Sequence, residues 1–334
     1  MKRIFFATLV LLSSYTVVKA QQQDPEKLHE TARTFMKQGD LDNAVLVLDR
    51  ANQLKPDDIE IAKDLAYVSL LKRDYSKSID VAKSLVEKPN ADVQSFQILG
   101  MAYKATAQND ECAKLYKKGL AKFPNRGILY SEYGELEFEK NPSTAIKLWE
   151  KGIEADPSCS GNFYNASKYY SQKNEVLWAV LYGENFINIE SLTARTAEIK
   201  EQLTADYKRL FTGNTLADAV KKGSPFIKAV GNLFLQNSGM LAEGVTPESL
   251  TSLRSKFVLQ WYEGDTPKFP YRLFEYQRTL IKEEMFEAYN QWIFGGGADS
   301  YATWAKNHDA EAKALQKYQR GMVYKIPAGQ YYEH

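Results

Sequence analysis

The stretch VQSFQILGMAYKATAQNDECAKLYKKGLAKFPNR, residues 93–126, decides how this chain folds. It carries small residues at Gly100 and Cys112 and closes with Pro124. Small residues return at the same places about every 34 residues along the first half of the chain. Two series hold over five copies: Ala32, Ala66, Gly100, Gly134 and Ser167, and Ala44, Ser78, Cys112, Ala145 and Ala179. A spacing that is kept over five copies at two positions indicates an internal repeat.

Each unit of this repeat is predicted to be a pair of antiparallel helices. Only a small side chain fits where two helices cross closely, so the two series mark the crossings. Larger residues such as Tyr116 and Trp149 fill the space beside them, and Gly39-Asp40 forms a turn between paired helices. Proline ends a helix because it has no amide donor. Prolines follow the second helices at Pro56, Pro89, Pro124 and Pro157.

On these residues the chain resembles the tetratricopeptide-repeat (TPR) family, whose units are about 34 residues long and end in a proline. The unit at 25–58 matches well, the unit at 127–159 has a turn one residue short at Asn141, and the unit at 160–193 has Gly183 where a large residue is expected. The resemblance covers about half of the chain. It implies an all-α fold, a TPR α-solenoid of about five helix pairs, that binds a protein or peptide.

Four segments are expected along the chain. They are a signal peptide at 1–20, a TPR repeat array at 21–193, a capping or linker helix at 194–213, and a helical, aromatic-rich C-terminal domain at 214–334. Within the last segment, apolar spacing and proline or threonine starts predict helices at about 225–236, 247–262, 271–282, 284–294 and 299–320. The pair at 271–294 keeps the repeat spacing at Ala288, Trp292 and Gly295, which predicts a degenerate TPR-like hairpin.

The C-terminal segment is rich in tyrosine, phenylalanine and tryptophan. Two interpretations of these aromatic residues are open. They could line a ligand pocket, or they could form the core between helices that pack through large rings. The second interpretation is favoured, because aromatic side chains at helical spacing more often pack together than bind a ligand.

The first 20 residues have the order of features of a secretory signal peptide. Lys2 and Arg3 precede an apolar run at 4–12, and Ala20 closes a stretch of small or apolar residues suited to cleavage. The apolar run is too short to span a membrane, and no later segment is long and apolar enough. The protein is therefore expected to be periplasmic or secreted. Its net charge of +1 argues against a nucleic-acid partner.

Few residues point to chemistry. His29, His308 and His334 are far apart and form no metal-binding pattern, and the glycines at 295–297 are not followed by the lysine of a phosphate loop. The sequence therefore predicts no catalytic residue, no cofactor and no metal. It indicates a protein that is not an enzyme.

The two cysteines are expected to be free thiols. Cys112 occupies a crossing position, where it acts as a small apolar residue. Cys159 lies near the start of the next-but-one unit, and helices two units apart are rarely close enough for a disulfide.

The resemblance also implies a binding surface, because the first helix of each TPR pair lines a concave groove. In repeat register, one column of this groove is His29, Lys63, Gln97, Ser131 and Tyr164. The next column is Arg33, Tyr67, Met101, Glu135 and Lys168, and Lys104 completes the candidate residues. Such a mixture of basic, amide, aromatic and apolar groups suits an extended peptide, whose backbone needs polar partners and whose side chains need apolar ones.

Three functions are consistent with the sequence. The leading one is an extracytoplasmic scaffold that binds a protein or peptide partner in the groove. The alternative is a small-molecule-binding protein or hydrolytic enzyme whose site lies in the aromatic-rich C-terminal domain. A structural homo-oligomer is the third. The sequence identifies neither the partner nor the oligomeric state.

Overall fold

The structure, a computed structural model, describes residues 24–264, 268–296 and 298–332. Every regular element in these ranges is a helix, so the predicted all-α fold is confirmed. The first ten helices alternate as first and second members of pairs. They are α1 (Pro25–Gln38), α2 (Leu41–Leu54), α3 (Ile59–Leu71), α4 (Tyr75–Glu87), α5 (Val93–Ala105), α6 (Asn109–Lys122), α7 (Gly127–Phe138), α8 (Pro142–Ala155), α9 (Ser160–Gln172) and α10 (Val176–Ile189).

The remaining helices follow without strands between them in the described ranges. They are α11 (Ala194–Leu210), α12 (Thr215–Lys222), α13 (Pro225–Asn237), a 3-10 turn (Ser238–Leu241), α14 (Pro247–Gly264), α15 (Arg272–Lys282), α16 (Phe286–Phe294), α17 (Ala298–Asn307) and α18 (Asp309–Gly321). The single helix predicted at 299–320 is wrong. It is interrupted at His308, which has φ −129° and lies between α17 and α18. The predicted signal peptide lies outside the described residues.

Small residues pack at the crossings, as the repeat predicts. Ser78 Oγ donates a hydrogen bond to the carbonyl oxygen of Ala66 at 2.8 Å, and Ser167 Oγ donates to the carbonyl oxygen of Ala179 at 2.8 Å. In these two pairs, the two crossing positions therefore touch each other. All members of both series are buried: Ala32, Ala66, Gly100, Gly134, Ser167, Ala44, Ser78, Cys112, Ala145 and Ala179.

Helix starts in the first repeats are fixed by aspartates at repeat intervals. Asp24, Asp58 and Asp92 cap the first helices, and each accepts a hydrogen bond of 2.9–3.0 Å from a backbone N–H in the first turn. Asp40 and Asp74 cap the second helices in the same way at 3.2 Å. Each carboxylate satisfies an N–H that the helix leaves unpaired and complements the positive end of the helix dipole.

The turns inside the pairs also repeat. Gly39, Arg73, Ala107 and Asn174 have φ values of 77°, 63°, 55° and 59°. A left-handed residue at this point ends one helix and lets the chain reverse direction. The turn that contains Asn141 is one residue shorter, as predicted, and Asn141 itself caps α8 through Thr144 N–H at 3.3 Å.

Two compact units make up the chain, with their boundary between Thr106 and Ala107. The first unit contains α1–α5, and its core includes Leu48, Ile61, Leu65 and Val68. The second unit contains α6–α18. Its core is one continuous cluster that runs from Ala145 in α8 to Tyr324 beyond α18. The domain limits predicted at 193 and 213 stay a prediction.

The hairpin of α15 and α16 has the turn of the repeats but not their crossing residues. Glu284 has a φ of 57°, and the N–H of Met285 donates to the carbonyl oxygen of Leu280 at 2.8 Å, as at the equivalent place in the repeat turns. Counted from this turn, the crossing positions are Gln277 and Tyr289, both buried and both large. The small residue of the spacing argument, Ala288, lies one position earlier.

No helix in the part of the chain that the structure describes combines the length and apolar character needed to cross a membrane.

Candidate functional site: the first-helix face

Two basic residues of α1 share one aspartate of α3. The ring Nε2 of His29 and the Nε of Arg33 lie 2.7 and 2.8 Å from Oδ2 of Asp64, and Arg33 also lies 3.7 Å from Glu60. The hydrogen bond to Asp64 raises the pKa of the Arg33 guanidinium. Both predicted groove residues of this helix are thus already paired with an acidic residue of α3.

The same arrangement follows one repeat later at Lys63. Its Nζ lies 2.6 Å from Glu60 and 2.6 Å from Asp92, and the side chain is only 6% exposed. Burial of Lys63 works against its charge, but the hydrogen bonds to Asp92 and Glu60 outweigh it and raise the pKa of the ammonium. Burial likewise acts to raise the pKa of Asp92, yet the hydrogen bonds from Lys63 and Ser95 bring that pKa below its usual value. Lys63 therefore links one repeat to the next.

Apolar side chains remain exposed on the first-helix face of the first unit, which is the side of α1, α3 and α5 that carries the candidate groove residues. Tyr67 is 36% exposed, and Leu71, one helical turn further along α3, is 47% exposed. One repeat later, Gln97, Met101 and Lys104 are half-buried on α5. Leu71 was not predicted as a site residue, although its i+4 spacing from Tyr67 places it on the same helix face.

The second unit has a matching series of contacts on α7, α9 and α11. The amide of Asn165 donates to Glu135 Oε1 at 3.1 Å. Lys168 Nζ lies 2.5 Å from Glu198, whose other oxygen accepts a hydrogen bond of 2.6 Å from the hydroxyl of Tyr164. The hydrogen bonds from Lys168 and Tyr164 lower the pKa of Glu198. Glu135 and Lys168 are thus each joined to the next first helix, whereas Ser131 is buried.

A second polar cluster lies deep in the second unit and was missed from sequence. Glu184 in α10 and Arg254 in α14 are 1% exposed and form an ion pair. Tyr207 donates to Glu184 at 2.6 Å and Gln277 donates to it at 2.9 Å, while Arg254 also donates to Asn290. None of these five residues lines the cavity near Tyr271 or the cleft beside α12. We therefore assign the cluster to the stability of the fold.

The aromatic residues of the second unit interlock. Phe257 stacks on Phe234 at a centroid distance of 4.4 Å, and Trp261 meets Phe274 edge-to-face at 4.9 Å. A cavity near Trp178 has room for about 20 Å³, roughly one water molecule. An open cleft of about 550 Å³ lies at the α9–α10 turn and α12; Trp178 also borders it, and its lining includes Lys173, Asp218, Lys222 and Ser224. The interlocked rings favour the core interpretation over the aromatic-pocket interpretation.

Both cysteines are free, as predicted. Cys112 is fully buried at its crossing position, and burial raises the pKa of the Cys159 thiol to about 11, which makes it a poor nucleophile at neutral pH. Among the described residues, no group of histidine, cysteine and acidic side chains could hold a metal ion. The ring of His308 stacks on Trp304 at 4.4 Å, and His334 lies outside the described residues.

No protein-family model and no curated protein sequence matches the chain. Solved structures similar to it include a tetratricopeptide repeat protein from Parabacteroides merdae, with 13% identity over 78% of this chain and 98% of that one and a TM-score of 0.45. Another is TTC0263, a thermophilic TPR protein in Thermus thermophilus, with 12% identity over 55% and 99% and a TM-score of 0.43. A third is YrrB, described as a TPR protein with an unusual peptide-binding site, with 17% identity over 53% and 92% and a TM-score of 0.39.

Proposed function

We propose that this protein is a scaffold that binds an extended segment of a partner protein on the first-helix face. The observation that carries the proposal is the exposure of Tyr67 and Leu71 on α3. The basic residues around them are already paired with acids of the neighbouring repeat, whereas these two apolar side chains have a large part of their surface in water. Covering them with a partner's apolar side chains would remove that surface from water and favour binding.

The rest of the face defines the chemistry of the partner. Lys104 lies in the last turn of α5 and forms no ion pair in the described part of the chain. A partner with an acidic group beside its apolar residues would complement Lys104 and Tyr67 together. The paired residues Arg33 and Lys63 would contribute little to affinity, because a partner carboxylate would have to compete with the aspartates that they already contact.

We further propose that the protein meets this partner outside the cytoplasm. The support is the sequence at 1–20, with its basic start, apolar run and small-residue close. Mass spectrometry of the protein isolated from its native cells would test this proposal. A mature N-terminus at Gln21 in a periplasmic or secreted fraction is expected, and an intact chain in the cytoplasm would contradict it.

The binding proposal can be tested with displayed peptides. Peptides selected on the wild-type protein would be labelled and their affinity measured by fluorescence anisotropy. We expect the variant Tyr67→Ser/Leu71→Ser to bind them at least tenfold more weakly, since each lost apolar contact contributes roughly 1–2 kcal/mol.

The matched control is Leu46→Ser/Leu192→Ser, which removes two apolar side chains that are 68% and 82% exposed and lie outside the columns. This variant is expected to bind like the wild type. If the selection yields no peptide, or if both double variants bind equally well, the proposed site is wrong.

A further inference from the structure

The chain beyond α18 runs as an extended segment across the second unit. This segment, MVYKIPAGQYY at 322–332, contains no helix or strand and is called the tail below. Its side chains alternate at the start: Tyr324 is buried, while Val323 is 74% exposed and Lys325 is exposed. Alternation of this kind is how an extended peptide places every second side chain against a surface.

The tail then reverses direction at a tight turn. The N–H of Gln330 donates to the carbonyl oxygen of Pro327 at 3.4 Å, and Gly329 has a φ of 80°. Glycine suits this position because a type II turn requires a positive φ there. The turn presents Tyr331 and Tyr332 to the same surface that Tyr324 contacts, so the tail attaches through three tyrosines.

Tyr332 inserts into an aromatic slot. Its ring stacks on Phe226 at a centroid distance of 4.3 Å and an interplanar angle of 19°, and it lies 5.6 Å from Phe269 and 6.0 Å from Tyr271. Its hydroxyl donates to the carbonyl oxygen of Pro270 at 2.7 Å. A side chain with a flat ring and a terminal donor fits this slot.

Tyr324 satisfies a buried acceptor. Its hydroxyl donates to Oδ1 of Asn185 at 2.7 Å, and Asn185 is only 1% exposed. The amide nitrogen of Asn185 donates in turn to the hydroxyl of Tyr271 at 2.9 Å. If the tail left, Oδ1 would lose this donor, so the surface selects for a phenol and not only for an apolar ring.

The walls of the slot also contact one another. Phe226 lies 5.0 Å from Tyr271, 5.8 Å from Phe269 and 6.0 Å from Trp178, so helices α10 and α13 and the segment before α15 hold one another. The cavity of about 20 Å³ is lined by Trp178, Tyr271 and the tail residues 326–332, and has room for about one water molecule. Walls that contact one another and hold an extended segment through a stacked ring and hydrogen bonds have the features of a peptide-binding groove.

We propose that this slot is a second peptide-binding site, which the tail occupies in cis and which takes an extended segment of another protein carrying a tyrosine and, a few residues later, an adjacent aromatic pair. The site is separate from the first-helix face. The tail acts as an internal competitor, because a tethered segment has an effective concentration of the order of millimolar at its own site. A partner peptide must therefore displace the tail.

The test cuts the tail after the protein has folded. A protease recognition sequence inserted after Gly321, where no heavy atom lies within 4 Å of a Cβ position, allows the full chain to fold first and the tail to be released afterwards. Binding of a labelled synthetic peptide, residues 322–332, is then measured by anisotropy on the cut protein and on the uncut chain. Saturable binding to the cut protein, and binding at least tenfold weaker to the uncut chain, are expected.

Peptide variants distinguish specific recognition from nonspecific binding. Tyr332→Ala and Tyr324→Phe peptides are expected to bind about tenfold more weakly, since one loses the stacked ring and the other the donor to Asn185. The Val323→Ala peptide changes an exposed side chain of the same tail and should bind like the parent. Equal affinity of all these peptides would overturn the proposal.

Two further outcomes would also overturn it. If the cut protein loses its cooperative thermal transition, the tail is a structural part of the core and not an exchangeable occupant. If the uncut chain forms concentration-dependent dimers that Tyr332→Ala abolishes, as measured by sedimentation, the occupant is a second copy of this chain and not another protein.

Discussion

The first unit and the C-terminal half of the second unit hold neighbouring helices together in different ways. In the first unit, the important residues return at a fixed interval: aspartate caps at Asp24, Asp58 and Asp92, and an ion pair from Lys63 to the next repeat. In the C-terminal half of the second unit, large rings interlock around one buried ion pair, Glu184–Arg254. The first arrangement is local and repeated, and the second is long-range and occurs once.

The difference has an energetic consequence. Each of these caps and the ion pair has an exposed or partly exposed partner and can be lost at a small cost, because water replaces the lost partner. The Glu184–Arg254 pair lies where water does not reach, so the loss of one member leaves a charge without a partner. We therefore expect substitutions at the caps and ion pairs of the first unit to lower the free energy of unfolding slightly. Substitutions at the Glu184–Arg254 pair of the second unit should lower it strongly.

The largest effect is expected for Arg254→Met. This change leaves the Glu184 carboxylate buried with only Tyr207 and Gln277 as donors, which should cost about 3–5 kcal/mol of the free energy of unfolding. Urea unfolding monitored by circular dichroism would measure it. The double variant Glu184→Gln/Arg254→Met removes both charges and should recover a large part of the loss.

The control for this prediction is Lys313→Met, which breaks an ion pair with Asp309 whose two side chains are 73% and 65% exposed. It should cost less than about 1 kcal/mol. If Arg254→Met and Lys313→Met had similar effects, the contrast between a buried and an exposed pair would not hold in this protein.

A smaller loss is expected for Gly134→Ala, at a repeat crossing in the second unit. A Cβ at this position would lie 2.2 Å from Nε1 of Trp149, and the indole cannot move easily because it is 2% exposed and donates to the carbonyl oxygen of Ser131 at 3.2 Å. Overpacking of this kind costs about 1–3 kcal/mol, even though alanine favours a helix by roughly 0.5–1 kcal/mol.

Thermal unfolding would show the Gly134→Ala effect as a lower Tm. Gly321→Ala is the matched control, because no heavy atom lies within 4 Å of a Cβ there, and its stability should stay within about 0.5 kcal/mol of the wild type. A stabilised Gly134→Ala variant would contradict the close helix crossing.

The repeated features could be predicted from sequence because each copy supports the others. Ala44 alone is an ordinary alanine, but Ala44, Ser78 and Cys112 at one interval define a helix crossing, and all three are fully buried. The aspartate caps at Asp58 and Asp92 carry the same kind of signal and could have been used to place helix starts. The turn of α15 and α16 was also predicted, although its crossing positions hold large residues.

The features that occur once could not be predicted in this way. Glu184 and Arg254 are 70 residues apart, and each is a common residue in a helix, where exposure is the usual state. Only the packing of α10 against the later helices buries them. The break at His308 likewise has no proline or glycine beside it. Lys63, a candidate groove residue, lies on a first helix as predicted, but its pairing with Asp92 depends on distances that the spacing does not contain.

The smallest effect is expected at the ion pair between Lys63 and Asp92, and it should depend on pH. Hydrogen bonds from Lys63 and Ser95 hold the pKa of Asp92 below its usual value despite burial. A carboxyl whose pKa is lower in the folded state stabilises the fold above the unfolded-state pKa of about 3.9, and this contribution disappears as the pH falls through the lowered value.

Asp92→Asn keeps a good helix cap and removes only the charge. It should therefore cost about 1 kcal/mol or less near pH 7 and nothing near pH 2, as urea unfolding at a series of pH values would show. The fully exposed Asp57 of the same unit, changed to Asn, should leave the wild-type pH dependence in place, whereas an Asp92→Asn variant with an unchanged pH dependence would mean that the ion pair does not stabilise the first unit.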